Sequence, residues 1–228
     1  MSTPGLRLPS WVPTRRRDGS TQAPSTEPPF DPTSWSGALI VMCSLGALLW
    51  AIQVANAVNG QSFDRFGLRP RQIDGLWGIL TAPFLHDGYA HLLSNTAPFV
   101  LIGWVLLLSG IRTWLIVTGI VVVLGDLLTW LVAPSGLIVG ASALVFGWLG
   151  YLIARAYFSR KLWWIVVAVL VLFFFGALLG SLLPSFDSQV SWQSHACGFG
   201  AGVVAGALLH PRRRHKPNRP KQARPAVS

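Results

Sequence analysis

The sequence predicts an all-α, polytopic membrane protein with six transmembrane helices. Of its 228 residues, 52% are hydrophobic and only 11% are charged, whereas soluble domains carry about a quarter charged residues. Apolar runs long enough to cross a bilayer, which takes about 20 residues, recur along the whole chain. They cover approximately residues 37–57, 91–109, 112–133, 141–158, 162–183 and 193–210.

Helix-breaking residues separate these runs. Pro134, Ser135 and Gly136 interrupt the chain before the fourth run, and Pro184 does so before the sixth. Pro211 closes the last run.

The basic residues predict the topology. If the N-terminus is inside, all but three of the 18 Lys and Arg residues fall on the cytoplasmic side, as the positive-inside rule requires. The three exceptions share the first external loop with three acidic residues that match them: Arg65, Arg69 and Arg71 with Asp64, Asp74 and Asp87. We therefore expect a multi-pass protein of the cell membrane with both termini in the cytoplasm.

The chain divides into a membrane domain and two tails. Residues 1–35 are rich in Pro, Ser and Thr and lack a periodic apolar pattern, which predicts a disordered cytoplasmic tail. The first apolar run is too long for a signal peptide and lacks a cleavage site. Residues 36–210 form the predicted membrane domain, and residues 211–228 form a basic cytoplasmic tail.

The net charge of +10 comes largely from the two flanks. Basic flanks on a membrane protein predict contact with anionic lipid. Neither tail interleaves aromatic residues with its charges, so nucleic acid is not an expected partner. Cys43 and Cys197 both lie in apolar runs, and we expect no disulfide, metal or cofactor.

The first external loop, from Asn59 to Ala90, is too long for a simple connector and mixes aromatic with polar residues. Such loops are functional or lie in the membrane interface. We expect a partly inserted, interfacial structure.

Polar residues of three spans are predicted to lie at one depth. The second, fourth and sixth spans run in the same direction, and each carries its polar residues near its start: His91 and Asn95, then Ser142, then His195. With a rise of about 1.5 Å per residue, all of them fall in the outer third of the membrane. Intramembrane polar residues mark functional sites, although a lone His or Asn more often joins helices.

This combination of residue types suits acyl transfer. A serine needs a base to become a nucleophile, and histidine is the usual base. The resulting oxyanion needs fixed donors, such as an Asn amide, a second His or a backbone N–H at a helix start. Spacing alone leaves this chemistry and simple helix packing both open.

Motifs in three spans resemble those of the rhomboid intramembrane serine proteases, from about Trp77 to Gly206. The motifs agree in order and spacing: Gly140, Ser142, Phe146 and Gly147; His91 and Asn95 after His86; and His195, Gly198 and Gly202. The resemblance implies a six-helix bundle of a divergent bacterial branch. It departs at Ala143, Gly78 and Leu106, where relatives often carry Gly, Arg and Glu.

The resemblance also implies roles for residues. Ser142 would be the nucleophile and His195 the general base, without an acidic third member. Asn95, His91 and the Ser142 N–H would form the oxyanion hole, Phe146 would pack near the imidazole, and Gly140 and His86 would be secondary. The substrates would be transmembrane proteins, and the site would open toward the extracytoplasmic side.

Two other functions compete with a protease. An inactive relative would bind membrane clients, but such relatives usually lack the Ser or the His. A transporter or channel predicts polar residues through the full depth of the bundle, which the sequence does not have.

Two further features lead to structural expectations. Gly198, Gly202 and Gly206 recur every four residues and form a bare helix face, which predicts close approach to the fourth span near Gly147 and Gly150. Asp126 in the third span has two interpretations, a hydrogen bond to a neighbouring helix or an influence on the site. We expect any unusual backbone geometry at Ala143.

Overall fold

The computed structural model describes residues 30–184 and 191–210. By contacts the chain divides at residue 30, and all described helices belong to residues 31–228. The α-helices are Trp35–Val58 (α1), Gly78–Thr81 (α2), Gly88–Leu107 (α3), Ile111–Ile120 (α4), Asp126–Val132 (α5), Ser142–Ser159 (α6), Leu162–Phe175 (α7) and Trp192–Leu209 (α8). Within the described ranges the fold is all-α, with a single isolated β-bridge.

The chain is a polytopic membrane protein. Four helical segments are long and apolar enough to cross a membrane: Trp35–Val58, Gly88–Leu107, Ile111–Val132 and Leu162–Leu182. The helices α6 and α8 coincide with the other two predicted spans but are not among these four. Most of α6 is buried inside the bundle, and α8 is rich in Gly and Ala. The count of six spans and the cytoplasmic termini therefore stay predictions.

The predicted third span is one continuous helix with a π-helical turn, Val121–Gly125, between α4 and α5. Such turns insert one residue into a helix and are frequent at functional sites. Asp126 follows the turn and is only 5% exposed. It lies beside the Cys197 thiol of α8. Within the described residues its side chain makes no hydrogen bond to a neighbouring helix.

Helix α7 ends earlier than the fifth predicted span, which covers residues 162–183. After Phe175 the chain tightens into a 3₁₀-helix, Gly176–Leu182, and Leu183 is extended. Pro184 explains the stop, because proline disfavours helical backbone in the residue before it. The 3₁₀ segment places the Ser181 carbonyl beside His195, in the first turn of α8.

The core surrounds α6. Trp148 is fully buried and meets Phe99 of α3 with ring centroids 5.2 Å apart. On the opposite side α6 packs against α8. Arg160 directly follows α6 and adopts a left-handed conformation with φ of 51°, which ends the helix.

The first external loop is built from short helical turns, among them the 3₁₀ segments Ser62–Phe66, Ile73–Gly75 and Ala82–Phe84. Leu68 forms two backbone hydrogen bonds of 2.9 Å with Ile138, just before α6. Gly78 packs directly on the Leu68 backbone, so an arginine at position 78 would not fit. The loop is thus anchored to the segment that precedes Ser142, and its depth in the interface stays a prediction.

The three Arg and three Asp residues of this loop balance in charge, but among the described residues they form one ion pair. Arg69 pairs with Asp74 at 3.3 Å, but Asp64 accepts a hydrogen bond from the Asn56 amide at 2.8 Å. Arg71 instead donates to the carbonyls of Leu131 and Ala133. The partner of Asp64 is thus a side-chain amide, and the partners of Arg71 are backbone carbonyls.

Both predicted tails lie almost entirely outside the described residues. Residues 30–35 are the exception, and within them the Ser34 hydroxyl accepts the Gly37 N–H at 3.1 Å and caps α1. This cap starts α1 at Trp35, and the division into tails and membrane domain stays a prediction.

Candidate active site

Ser142 is the first residue of α6 and is half-buried. Two hydrogen bonds fix the turn before it: the Gly140 N–H donates to the Ala82 carbonyl at 2.9 Å, and the Ala141 N–H donates to Nε2 of His86 at 3.4 Å. The first N–H groups of a helix have no partner within the helix. The Ser142 N–H is therefore placed where an anion would be stabilised.

The unusual backbone of this turn is at Gly140, not at Ala143. Gly140 has φ of +122°, a conformation that residues with side chains rarely adopt. An added Cβ there would lie 2.8 Å from Cε1 of His91. Ala143 continues the helix normally, so the expectation of special geometry at that residue is wrong.

His195 lies in the first turn of α8, where Ser191 caps the helix by accepting the Ser194 N–H at 3.3 Å. Its imidazole is 7% exposed. Nε2 lies 2.9 Å from Oγ of Ser142, and Nδ1 lies 3.2 Å from the carbonyl oxygen of Ser181. Because a carbonyl can only accept, Nδ1 carries the proton, and Nε2 is left free to accept the serine proton.

Glycines set the distance between α6 and α8. The α-carbon of Gly198 packs against the Ala143 carbonyl, and the α-carbon of Gly202 packs against the Gly147 carbonyl. Gly150 in turn packs on the backbone of Phe199, and Gly206 packs on Ala154. The predicted bare face is therefore a close helix–helix contact, and it brings His195 to Ser142.

Phe146 covers the imidazole. Its ring stacks on His195 with centroids 4.4 Å apart and an interplanar angle of 25°. Phe146 lies four residues beyond Ser142, one turn along the same face of α6. The ring therefore limits both the orientation of His195 and its contact with water.

His91 and Asn95 lie on one face of α3. The His91 ring packs over Gly140, two residues before Ser142. Asn95 is 7% exposed, and its amide donates to the His91 carbonyl of its own helix at 3.0 Å. Each amide nitrogen has two N–H groups, so one is left for another acceptor, and the oxyanion role of Asn95 stays a prediction.

His86 is fully buried, and its ring lies 5.3 Å from that of His91. Burial and, to a smaller extent, the nearby His91 lower the pKa of His86 to about 4, with a partial offset from the Phe84 backbone. A neutral ring is needed here, because Nε2 accepts the Ala141 N–H. His86 therefore supports the turn that presents Ser142.

Two contributors to the site are backbone carbonyls that sequence reasoning missed. The Ser181 carbonyl orients His195, and the Ala82 carbonyl holds Gly140. A carbonyl group has no side-chain signature. The only available signal was Pro184, which predicts an irregular helix end near residue 181.

Comparison with known proteins identifies the family. Residues 74–212 match the rhomboid domain. An uncharacterised protein of Mycobacterium tuberculosis is 37% identical over 202 residues, which cover 85% of this chain and 84% of that protein.

More distant relatives carry the family name. A rhomboid-like protein of Arabidopsis thaliana is 30% identical over 152 residues, covering 58% of this chain and 34% of its own length. A rhomboid-related protein of Caenorhabditis elegans is 30% identical over 153 residues, covering 63% of this chain and 43% of its own length. The chain belongs to the rhomboid family.

Proposed function

We propose that the protein is an intramembrane serine endopeptidase that cleaves transmembrane segments of other membrane proteins. The observation that carries this proposal is the 2.9 Å distance from Ser142 Oγ to His195 Nε2. It is a hydrogen-bonding distance between a nucleophile and a base, with the base held by a third group. The third group is the Ser181 carbonyl, so the pair needs no carboxylate to fix its tautomer.

The proposed reaction follows from this geometry. His195 Nε2 takes the hydroxyl proton while Ser142 Oγ attacks the carbonyl carbon of the scissile bond. The tetrahedral intermediate then collapses, the C–N bond breaks, and His195 gives its proton to the departing amine. A water molecule, deprotonated by the same nitrogen, attacks the acyl-enzyme; the ester C–O bond to Ser142 then breaks, His195 returns the proton to Oγ, and the carboxylic acid product is released.

The oxyanion of the intermediate needs donors that are already in place. The Ser142 N–H at the start of α6 is one such donor. We assign the other two to the second N–H of the Asn95 amide and to the His91 ring, which lies over Gly140. Removal of one such donor typically lowers kcat by about 100- to 1000-fold.

The substrate class follows from membrane physics. A spanning helix hides its carbonyl groups in its own hydrogen bonds, so a protease needs a segment that unwinds. Water must also reach Ser142, which is half-buried at the N-terminal end of α6. The positive-inside rule puts this end on the extracytoplasmic side of the cell membrane.

An inactive family member that binds membrane clients is the second candidate. The oriented Ser142–His195 pair favours the enzyme, because client binding needs neither the tautomer nor the distance. A fluorophosphonate probe discriminates the two functions. We expect covalent labelling of the wild-type protein and none of Ser142→Ala; an unlabelled wild-type protein would favour the client-binding function.

A further inference from the structure

Arg155 is a half-buried cation that has no carboxylate partner among the described residues. It lies on α6, 13 residues after Ser142 and therefore about 20 Å away, near the opposite membrane face. Its guanidinium stacks on the Trp164 ring, 3.6 Å from the ring centroid. Its Nη1 donates to the Tyr151 hydroxyl at 3.2 Å, and its Nε–H is buried without an acceptor among the described residues.

Two further basic residues lie near Arg155. The Tyr151 hydroxyl also lies 3.0 Å from Nε2 of His210, at the end of α8. The charges of Arg155 and Lys161 both act on the His210 ring. Arg155 and His210 thus meet at the hydroxyl of one tyrosine, and the charge of Lys161, in the turn before α7, acts on the His210 ring beside them.

The part of the chain that the structure describes offers little counter-charge. Within residues 30–184 and 191–210 the ion pair that forms is Arg69–Asp74, in the external loop. After Asp126 the sequence holds a single acidic residue, Asp187, which lies outside the described residues. A desolvated charge without a partner is costly, so the compensating anion is expected to come from outside this half of the chain.

The surroundings indicate which anion. The adjoining turn of α7 exposes Leu162 and Trp163 by 75% and 64%, which is the apolar and aromatic surface expected at the level of lipid headgroups. Guanidinium groups bind phosphate strongly, and basic pockets between helices bind anionic headgroups. We propose that Arg155, His210 and Lys161 form a binding site for the phosphate of an anionic phospholipid, with the acyl chains along α7.

The site is distinct from the proposed catalytic site, and its test does not require protease activity. The full-length protein is placed in neutral detergent, and binding of phosphatidylglycerol is measured by native mass spectrometry against phosphatidylcholine with the same acyl chains. Arg155→Gln should weaken phosphatidylglycerol binding by about tenfold or more and leave phosphatidylcholine binding unchanged. Arg112→Gln, at the exposed start of α4, is the control and should change binding by less than about fivefold.

Wild-type affinity in Arg155→Gln, or an equal loss in Arg112→Gln, would overturn the proposal. If Arg155→Gln does not fold, Lys161→Gln and His210→Gln test the same site, and each should lower the affinity about fivefold. Unchanged affinity in both would also overturn it. A final arm adds inorganic phosphate: failure to displace the lipid supports a lipid site, whereas full displacement at millimolar phosphate contradicts it.

Discussion

Gly198 of α8 lies so close to the carbonyl of Ala143 that no side chain fits between them. Ala143 follows Ser142, and Gly198 lies three residues, about one helical turn, after His195. The contact therefore fixes the separation of the two helices beside the Ser142–His195 hydrogen bond.

Enlarging this glycine should move the base away from the nucleophile. We expect Gly198→Ala to lower kcat by about 100-fold or more, because a displacement of about 1 Å at a catalytic pair has effects of that size. Gly200→Ala is the matched control, since an added Cβ at position 200 meets nothing within 4 Å. Equal activities of the two variants in a cleavage assay would show that the contact does not set the distance.

The Phe146 ring should matter through its stacking on His195. Phe146→Leu is expected to lower kcat about threefold to tenfold, since aromatic stacking contributes about 0.5–1.5 kcal/mol. Phe173→Leu makes the same change on the exposed face of α7, where the ring is 79% exposed. Its activity should match that of the wild type, and a comparable loss there would indicate a general effect on packing.

The backbone at Gly140 should tolerate no side chain. Gly140→Ala places a Cβ at a positive φ and against the His91 ring, and the strain alone costs about 1–3 kcal/mol. We expect lower thermal stability and loss of cleavage. Gly119→Ala, at an open helical position, should keep both; equal behaviour of the two variants would show that the Gly140 backbone is not a constraint on the site.

His86 should make stability depend on pH below neutrality. Its folded pKa of about 4 lies below the usual value of 6.5, so between these values the unfolded state binds more protons. Stability therefore falls as the pH drops from 6.5 to 4, by about 3 kcal/mol in total.

Comparison with His86→Gln isolates the contribution of His86 to the pH dependence of stability. The glutamine cannot titrate, while its side-chain oxygen can still accept the Ala141 N–H. We expect the unfolding free energy of the wild type to fall by about 3 kcal/mol more than that of the variant over this range. Parallel pH profiles would mean that His86 is not buried in its neutral form.

Much of the fold followed from apolar patterning. The positions of all six long helical segments were predicted within a few residues, because a run of about 20 apolar residues has few alternatives. The glycine contact between α6 and α8 was also predictable, since Gly198, Gly202 and Gly206 share one helix face. Side-chain periodicity carries this information directly.

The rest depended on backbone groups and tertiary contacts. Nothing in the sequence around Val121 distinguishes a π-helical turn from an α-helix. The bridge of Leu68 with Ile138 joins residues 70 positions apart, and the Ser181 carbonyl reaches His195 only after α7 has tightened. The strained position was expected at Ala143 because of its side chain, whereas φ is positive at the glycine that can adopt it.

The most direct test of the central claim is cleavage of a model transmembrane substrate in proteoliposomes. Ser142→Ala and His195→Ala should each lower kcat by at least about 1000-fold while keeping the thermal unfolding of the wild type. Ser159→Ala, at the other end of the same helix, should cleave at the wild-type rate. Cleavage by Ser142→Ala at the wild-type rate would contradict the assignment of Ser142 as the nucleophile.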